Sequence, residues 1–133
     1  MKDRYLFKAK TARIVDTYNN AEDGVWVKGS LKEDCGKYII FQFEFDRADY
    51  VPYEVDPETI CQCTGLKDKN GNLIWENDIV ENQCGKAVVV WDKSEWRIKW
   101  IDDIIWRKDL HYWVNDNSWR IEVIGNKFDN PEV

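Results

Sequence analysis

The stretch TGLKDKNGNLIWENDIV, residues 64–80, carries dense turn chemistry followed by an apolar run. Its KNGN segment, residues 69–72, predicts a β-hairpin, because an Asn-Gly pair readily adopts the positive φ angles of a type I′ turn. In the ENDIV segment, Asp78 is predicted to accept backbone N–H groups across a second turn, a common role of Asp in loops. Residues 64–80 therefore predict a tight-turn entry into a compact β-structure.

Alternating apolar and polar residues predict strands on both sides of this stretch. In KYIIFQFEF, Ile39, Phe41, Phe43 and Phe45 recur with a period of two, and we expect a half-buried strand. The β-branched run KAVVVWD is typical of a central strand. In order along the chain, strands are predicted in RYLFKAKTARIV (4–15), VWVKGSL (25–31), KYIIFQFEF (37–45), KAVVVWD (86–92), EWRIKW (95–100) and WRIEVIGN (119–126).

The segment DYVPYEVDPET, residues 49–59, contains two prolines and is predicted to be an irregular connection. Its DPET end predicts a short helical turn, because Asp56 suits the N-cap and Pro57 suits the first helical position. We place the boundary between two parts of the chain just after it. The expected division is an N-terminal β-rich subdomain, residues 1–60, and a C-terminal subdomain, residues 61–133.

The segment WIDDIIWRKDLHYWV, residues 100–114, is the exception in the second half. Its isoleucines at helical spacing predict a short helix around residues 102–110, whereas HYWVNDNSW (111–119) alternates and turns like strand and loop. About five short strands remain close together after residue 61. A curled sheet or small barrel is the expected arrangement, because closure removes exposed strand edges.

The composition is that of a globular protein, with 133 residues, 44% hydrophobic and 33% charged. The net charge of −6 is spread evenly along the chain. This balance disfavours tight sequence-independent binding to nucleic acid, and the even spread disfavours a strongly acidic DNA mimic. No apolar run approaches the ~20 residues of a membrane span, and the N-terminus lacks a signal-peptide core, so we expect a cytosolic protein.

The cysteines leave two interpretations open. Cys35, Cys61, Cys63 and Cys84 could gather around zinc, because thiolates are good zinc ligands. However, Cys-x-Cys is not the spacing of a zinc knuckle and no second pair exists. Cys61 and Cys63 would share one face of a strand, where free cysteine behaves as a small apolar residue. Core packing in a reducing compartment is therefore favoured over a metal site, and no cofactor is expected.

The opening stretch resembles the signature of the YopX family, whose members are encoded by bacteriophages and prophages. The segments VDPET, VVVWD and IEVIGNKFDNPEV resemble the same family. The resemblance implies a mainly β fold with an N-terminal β-rich subdomain and a C-terminal SH3-like barrel, which self-associates in the bacterial cytoplasm. It supplies no enzymatic activity. The matching residues of the signature are Thr64, Gly65, Leu66, Asn70, Gly71, Ile74, Trp75, Glu76, Asp78, Ile79 and Val80.

Some positions depart from the family pattern. Asn77 stands where the family usually has glycine, and Asn is the residue best able to replace glycine at a left-handed position. We therefore expect the turn to be kept. Ala9 stands where glycine is frequent, and the backbone there is expected to differ. Cys61 and Cys63 replace what is usually glycine and an aromatic residue, which further weakens the metal interpretation.

Few residues suit catalysis. The single histidine, His111, lies in the aromatic segment DLHYWV with no nucleophile nearby in sequence, which disfavours a catalytic triad. Glu76 and Asp78 could do acid–base work, but the capping role of Asp78 is favoured. The adjacent Asp102 and Asp103 form another carboxylate pair. No glycine-rich phosphate loop is present. The sequence predicts a protein that is not an enzyme.

The eight tryptophans, seven of them in the second half, leave three interpretations open: core, protein interface and nucleic-acid site. The leading hypothesis is a self-associating protein-binding module, whose partners are itself and an unknown phage or host protein, with no membrane partner. The alternative is a small-barrel nucleic-acid-binding module that stacks bases on a Trp/Arg/Lys patch. The candidate partner-binding residues are Arg97, Lys99, Trp106, Arg107, Lys108, Tyr112 and Trp113.

Overall fold

The structure is a computed structural model that describes residues 6–12, 24–101, 107–115 and 120–131. The chain is mainly β and forms two compact units, Met1–Gln62 and Cys63–Val133. The two units are described separately, as the N-terminal unit and the C-terminal unit.

The N-terminal unit is an antiparallel sheet in which four strands lie in the order β4-β3-β2-β1. The first residues of β5 pair with the other side of β1, through Phe7–Gln62 and Lys8–Cys61. A 3₁₀ turn, Pro57–Thr59, precedes β5. The strands are β1 (Phe7–Lys10), β2 (Trp26–Asp34), β3 (Lys37–Glu44), β4 (Asp49–Val55) and β5 (Cys61–Lys67).

Among the described residues of this unit, one side of the sheet forms the buried core. Because side chains alternate across a strand, the core of this unit takes every second residue, and the intervening residues lie on the other side, called the outer face here. Ile40 is fully buried on the core side of β3. The cluster contains Ala9, Val27, Ile40 and Val55, with Phe7, Leu31, Tyr38, Tyr53 and Ile60 packed against it.

The structure also shows which side of β3 is buried. The strand itself is confirmed, but Phe41, Phe43 and Phe45 lie on the side opposite Ile40, and Phe45 is 89% exposed. The register decides the orientation, because Ile40 faces Tyr53 of β4 and Leu31 of β2, both packed in the core. The alternation within KYIIFQFEF therefore predicts a strand, but it does not predict which side of that strand is buried.

The sheet curls until the chain that follows β1 reaches β4. Thr11 forms an isolated bridge with Val55, and the N–H of Ala12 donates to the carbonyl of Glu54 over 3.0 Å. The Thr11 side chain is buried, and its hydroxyl accepts the N–H of Val25 over 3.0 Å. One end of the β4 edge is therefore covered by the unit's own chain.

The irregular connection predicted for residues 49–59 is wrong over its first part, because β4 occupies Asp49–Val55. Proline is tolerated here because β4 is an edge strand, where a missing N–H breaks no ladder bond. The helical turn predicted at DPET is confirmed. The carboxylate of Asp56 accepts the N–H of Glu58 over 3.0 Å, and Pro57 occupies the start of the turn.

The C-terminal unit contains a second antiparallel sheet, in the order β10-β7-β8-β9. The later part of β5 pairs with β6, through Cys63–Trp75 and Lys67–Leu73. β8 lies between β7 and β9, as its β-branched run predicts. The elements are β6 (Leu73–Trp75), β7 (Asp78–Asn82), β8 (Gly85–Asp92), β9 (Glu95–Trp100), α1 (Leu110–Val114) and β10 (Glu122–Asn126).

This second sheet is open over the described residues, with β9 and β10 at its two ends and no pairing between them. The barrel predicted for this part of the chain is therefore not confirmed. The free side of β9 is partly covered, because the N–H of Ile98 donates to the carbonyl of Lys108 over 2.7 Å and Arg97 bridges Asp109.

The core of the C-terminal unit contains tryptophan beside aliphatic side chains. Trp100 and Trp113 meet edge to face, with ring centroids 5.4 Å apart. As predicted for EWRIKW, Ile98 and Trp100 turn inward. The buried cluster consists of Ile74, Val80, Ala87, Val89, Ile98, Trp100, Leu110, Trp113 and Ile121.

The helix lies later than predicted. α1 occupies Leu110–Val114, where strand and loop were expected, and the predicted helix at 102–110 overlaps it only at Leu110. Residues 102–106 lie outside the described residues, and 107–109 are not helical. Leu110 and Trp113 are three residues apart, so one helical face places both in the core.

The opening stretch forms the predicted hairpin, between β5 and β6, but with a different turn. Gly71 has a positive φ of 83°, and Asn70 does not have a positive φ. The N–H of Gly71 donates to the carbonyl of Asp68 over 3.0 Å, which makes 68–71 a four-residue turn that ends at the left-handed Gly71. The reason is the Asp68 carboxylate, which accepts the N–H groups of Asn70 and Asn72, each over 2.9 Å.

Asp68 also joins this hairpin to the last strand. Its second carboxylate oxygen accepts the N–H of Val123, in β10, over 2.9 Å. The side chain is 1% exposed. A buried carboxylate is tolerated when hydrogen bonds replace its hydration, and here three backbone donors do so.

The second turn of the opening stretch is as predicted. Asn77 adopts a left-handed conformation with φ of 71°, in the position where glycine was expected. The buried Asp78 carboxylate accepts the N–H of Trp75 over 2.8 Å, which confirms its capping role. Ala9, in contrast, lies within β1 without a positive φ, and its methyl group is buried in the N-terminal core.

We expect Asp68→Asn to lower the free energy of unfolding by about 2–4 kcal/mol, because an amide N–H₂ would face a backbone donor in a buried site. Asp92→Asn, at an exposed position of the same unit, is the matched control and should change stability by less than about 0.5 kcal/mol. Urea denaturation measures both. Equal stability of the two variants would refute the role of Asp68.

The turn between β8 and β9 offers a stabilising substitution. Lys93 and Ser94 both have positive φ, 50° and 62°, although neither is a residue that favours this region. Replacing Lys93-Ser94 by Asn-Gly should raise the free energy of unfolding by about 1 kcal/mol. The control Lys93→Ala/Ser94→Ala removes the same side chains without relieving the backbone. A gain of stability in that control would contradict the explanation.

Candidate interaction surfaces

Trp113, the described tryptophan of the predicted partner-binding patch, is structural. Trp113 is 3% exposed and belongs to the C-terminal core. Its indole N–H donates to the carbonyl of Arg107 over 2.9 Å, and Trp100 donates to the same carbonyl over 3.2 Å. Two buried indoles therefore hold the segment before α1 in place. Trp113 is not available to a partner.

The Arg107 side chain is already engaged. Its guanidinium donates two hydrogen bonds, each of 3.0 Å, to the carboxylate of Asp109, and it lies 4.3 Å from the ring centroid of Tyr112. These hydrogen bonds raise the pKa of Arg107. Partial burial alone raises the pKa of Asp109, but the bonds from Arg107 and from backbone N–H groups outweigh it and lower that pKa.

The other members of the patch are divided. Arg97 contacts Glu95 at 2.6 Å, so its charge is balanced as well. Lys99 and Lys108 are exposed, and Tyr112 is half-buried beside Arg107. Trp106 lies outside the described residues. The structure thus brings Arg107, Tyr112 and Trp113 together. These side chains do not form an open aromatic surface, because Trp113 is packed in the core and Arg107 is ion-paired with Asp109.

The groups considered for catalysis do not assemble a reaction site in the part of the chain that the structure describes. His111 is exposed on α1, and Asp78 caps a turn. Among the described residues, no three His, Cys, Asp or Glu side chains converge as metal ligands would. Cys61 and Cys63 are buried in β5, whereas Cys35 is exposed in the turn between β2 and β3.

A different surface was missed by the sequence reasoning: the aromatic end of the β3–β4 hairpin. Phe43 contacts Phe45 and Tyr50 edge to face, with ring centroids 5.0 and 5.3 Å apart. These three side chains are 39%, 89% and 62% exposed. The segment VPYEV held the missing signal, because its alternation of Val51, Tyr53 and Val55 identifies the buried side of β4 and hence the exposed side of β3.

The aromatic end continues into a groove on the outer face. The groove encloses a volume of about 540 Å³ and is lined by Leu6, Gly29, Ser30, Phe41 and Tyr50. Gly29 is required there, since a Cβ at this position would lie 1.9 Å from the carbonyl oxygen of Phe41. Glycine at this position therefore permits the close approach of β2 to β3.

These features define the chain as a mainly β protein with two antiparallel sheets and an exposed aromatic face. Residues 10–133 match the family described as YopX protein. The chain belongs to the YopX family. No curated protein matches it. Among the described residues, no helix has the length and apolar character needed to cross a membrane.

Two substitutions test the assignment of the patch to the core. Trp113→Ala should lower the free energy of unfolding by about 3–5 kcal/mol, because it leaves a large cavity and removes one of the two indole hydrogen bonds to the Arg107 carbonyl. Arg107→Gln should leave the urea midpoint nearly unchanged, because exposed ion pairs contribute little. A stable Trp113→Ala protein would place this tryptophan at the surface after all.

Proposed function

We propose that the protein is a non-enzymatic phage or prophage accessory protein that associates with itself and binds a protein partner in the bacterial cytoplasm. One observation carries the proposal: Phe43, Phe45 and Tyr50 form a contiguous exposed aromatic cluster. Exposed apolar patches of this kind mark interaction sites, and aromatic side chains dominate interface energetics. Family membership is consistent with a phage-type protein.

A second copy of the chain is the partner that the surface suits best. The turn between β3 and β4 carries exposed Asp46 and Arg47 beside the aromatic cluster. In a two-fold dimer the same patch meets itself, so Arg47 of one copy can face Asp46 of the other. The rings would then be buried at the centre with complementary charges around them, which is the usual arrangement of an interface.

The β4 edge is a poor alternative for this association. Pro52 removes one N–H from its middle, and Thr11 and Ala12 cover its end near Val55. Strand addition needs a continuous row of free backbone groups. Association through the aromatic face is therefore favoured over extension of the sheet.

The SH3-like arrangement of the C-terminal unit remains part of the proposal. Its support is the succession of three antiparallel strands, the short helix α1, and a last strand that returns to the first of the three. Such small curled sheets serve as binding modules in many settings. The alternative nucleic-acid module built on Arg97, Arg107 and Trp113 is less well supported, because the arginines are ion-paired and the tryptophan is buried.

Self-association can be tested by light scattering coupled to size-exclusion chromatography. The unaltered protein should exceed the monomer mass, and Phe45→Ser should weaken the association about tenfold or more, because an aromatic anchor is lost. Trp91→Ser removes an exposed aromatic ring from the C-terminal unit and is the matched control. A monomeric parent protein, or equal loss in the control, would contradict the proposal.

A charge exchange adds a test of the two-fold geometry. Arg47→Glu should weaken the dimer by placing acidic groups against each other, and the added change Asp46→Arg should restore it. Failure of the exchange to restore association would refute the proposed pairing of the two turns.

A further inference from the structure

The turn of the β5–β6 hairpin contains an asparagine followed directly by a glycine, Asn70-Gly71, and both residues are exposed. This pair occurs once in the whole sequence. It is chemically labile, because glycine has no Cβ to keep its backbone nitrogen away from the preceding side-chain amide. A Cβ built on Gly71 would meet nothing within 4 Å, so the space around the pair is open.

The reaction available to this pair is deamidation through a cyclic imide. The Gly71 nitrogen forms a bond to the side-chain carbonyl carbon of Asn70, and the amide nitrogen of that side chain leaves as ammonia with the proton from Gly71. The two groups belong to one chain, so the attack is intramolecular. Water then opens the succinimide ring at either carbonyl carbon. One opening gives aspartate, and the other gives isoaspartate, whose main chain is longer by one carbon atom.

The folded turn restrains this reaction through Asp68. The N–H of the attacking Gly71 nitrogen donates to the carbonyl of Asp68 over 3.0 Å, and the N–H of Asn70 donates to the Asp68 carboxylate over 2.9 Å. Ring closure requires the Gly71 nitrogen to lose its proton and to approach the Asn70 side chain. The turn must therefore open locally before the reaction can start.

The isoaspartate product weakens the attachment of the last strand. The added carbon enters the main chain between Asp68 and Asn72, whose N–H donates to the Asp68 carboxylate over 2.9 Å. The same carboxylate accepts the N–H of Val123 in β10 over 2.9 Å. Lengthening the turn therefore strains a buried group that joins two elements. Either product also places a new negative charge two residues from this buried carboxylate.

We propose that Asn70-Gly71 is a self-modification site, at which the folded chain slowly converts Asn70 to isoaspartate and aspartate and thereby destabilises its own C-terminal unit. Water is the one co-reactant. Asp68 sets the rate, because it holds the turn closed. The extent of conversion then increases with the age of each copy. The site uses neither the aromatic cluster of the N-terminal unit nor a partner, so it is independent of self-association.

The rate at each asparagine can be measured by tandem mass spectrometry after incubation at mildly alkaline pH, folded and in guanidinium chloride. Asn70 should convert in both samples, about tenfold more slowly in the folded protein, since each hydrogen bond that must open is worth roughly a factor of five. Labelling by an isoaspartate methyltransferase identifies the lengthened main chain. An intact Asn70 in the folded protein, or equal rates in both samples, would overturn the proposal.

Two variants separate the restraint by Asp68 from a general loss of stability. Asp68→Asn removes the carboxylate and should raise the rate at Asn70 about fivefold in the folded protein. Val89→Ala creates a small cavity at a buried position of β8 and should leave that rate within about a factor of two, because the turn opens locally. Equal acceleration in the two variants would show that the reaction follows global unfolding, which refutes the role of Asp68.

The urea midpoint after incubation tests the structural consequence. The midpoint of the unaltered protein should fall as Asn70 converts, whereas Asn70→Ser, which keeps the backbone N–H to Asp68, should hold its initial midpoint. Asn72→Ser is the matched control, because Asn72 is exposed in the same turn but precedes the bulky Leu73. Its midpoint should fall as that of the unaltered protein does. A converted protein with an unchanged midpoint, or an equal fall in Asn70→Ser, contradicts the proposal.

Discussion

The buried carboxylate of Asp68 is the constraint on which the C-terminal unit depends. It accepts three backbone N–H groups, two within the turn and one from β10, and so joins residues 55 positions apart in sequence. The turn closes the β5–β6 hairpin, and the bond to Val123 fixes the register of the last strand against it. Few side chains can do this, because a neutral acceptor would offer fewer lone pairs to three donors. The opening stretch is thus a structural motif in which the buried carboxylates of Asp68 and Asp78 accept backbone N–H groups.

Much of the strand pattern could be predicted from the sequence, because strand formation depends on local alternation. The strands β8 and β9, the left-handed Asn77 and the Asp56 cap follow from residue type and spacing alone. The buried side of β3 could not be predicted in isolation, since both of its faces carry large apolar residues. The buried side of β3 is decided by its pairing with β4. Because β4 contains Pro52, this segment was predicted to be an irregular connection and not a strand. Proline excludes a central strand but not an edge strand, and sequence alone does not reveal position within a sheet.

The candidate site shows the same dependence on tertiary context. Arginine, lysine and tryptophan near residue 107 have the composition of a binding surface, but composition does not distinguish a surface from a core with charged neighbours. The decisive contacts are the two indoles on the Arg107 carbonyl and the bidentate Arg107–Asp109 pair. The lysines of β1 and β2 are far apart in sequence and are neighbours only through strand pairing. The pairing register of these strands must be known before such a charge cluster can be recognised.

The protected edge of β4 has a further consequence for the fate of the protein in the cell. An uncovered strand edge is a template for intermolecular cross-β growth, and small β proteins made in quantity are exposed to that hazard. Here a proline interrupts the backbone donors of β4, and a bridge from Thr11 occupies its far end. Cross-β growth through the β4 edge is therefore disfavoured even when the protein accumulates to high concentration.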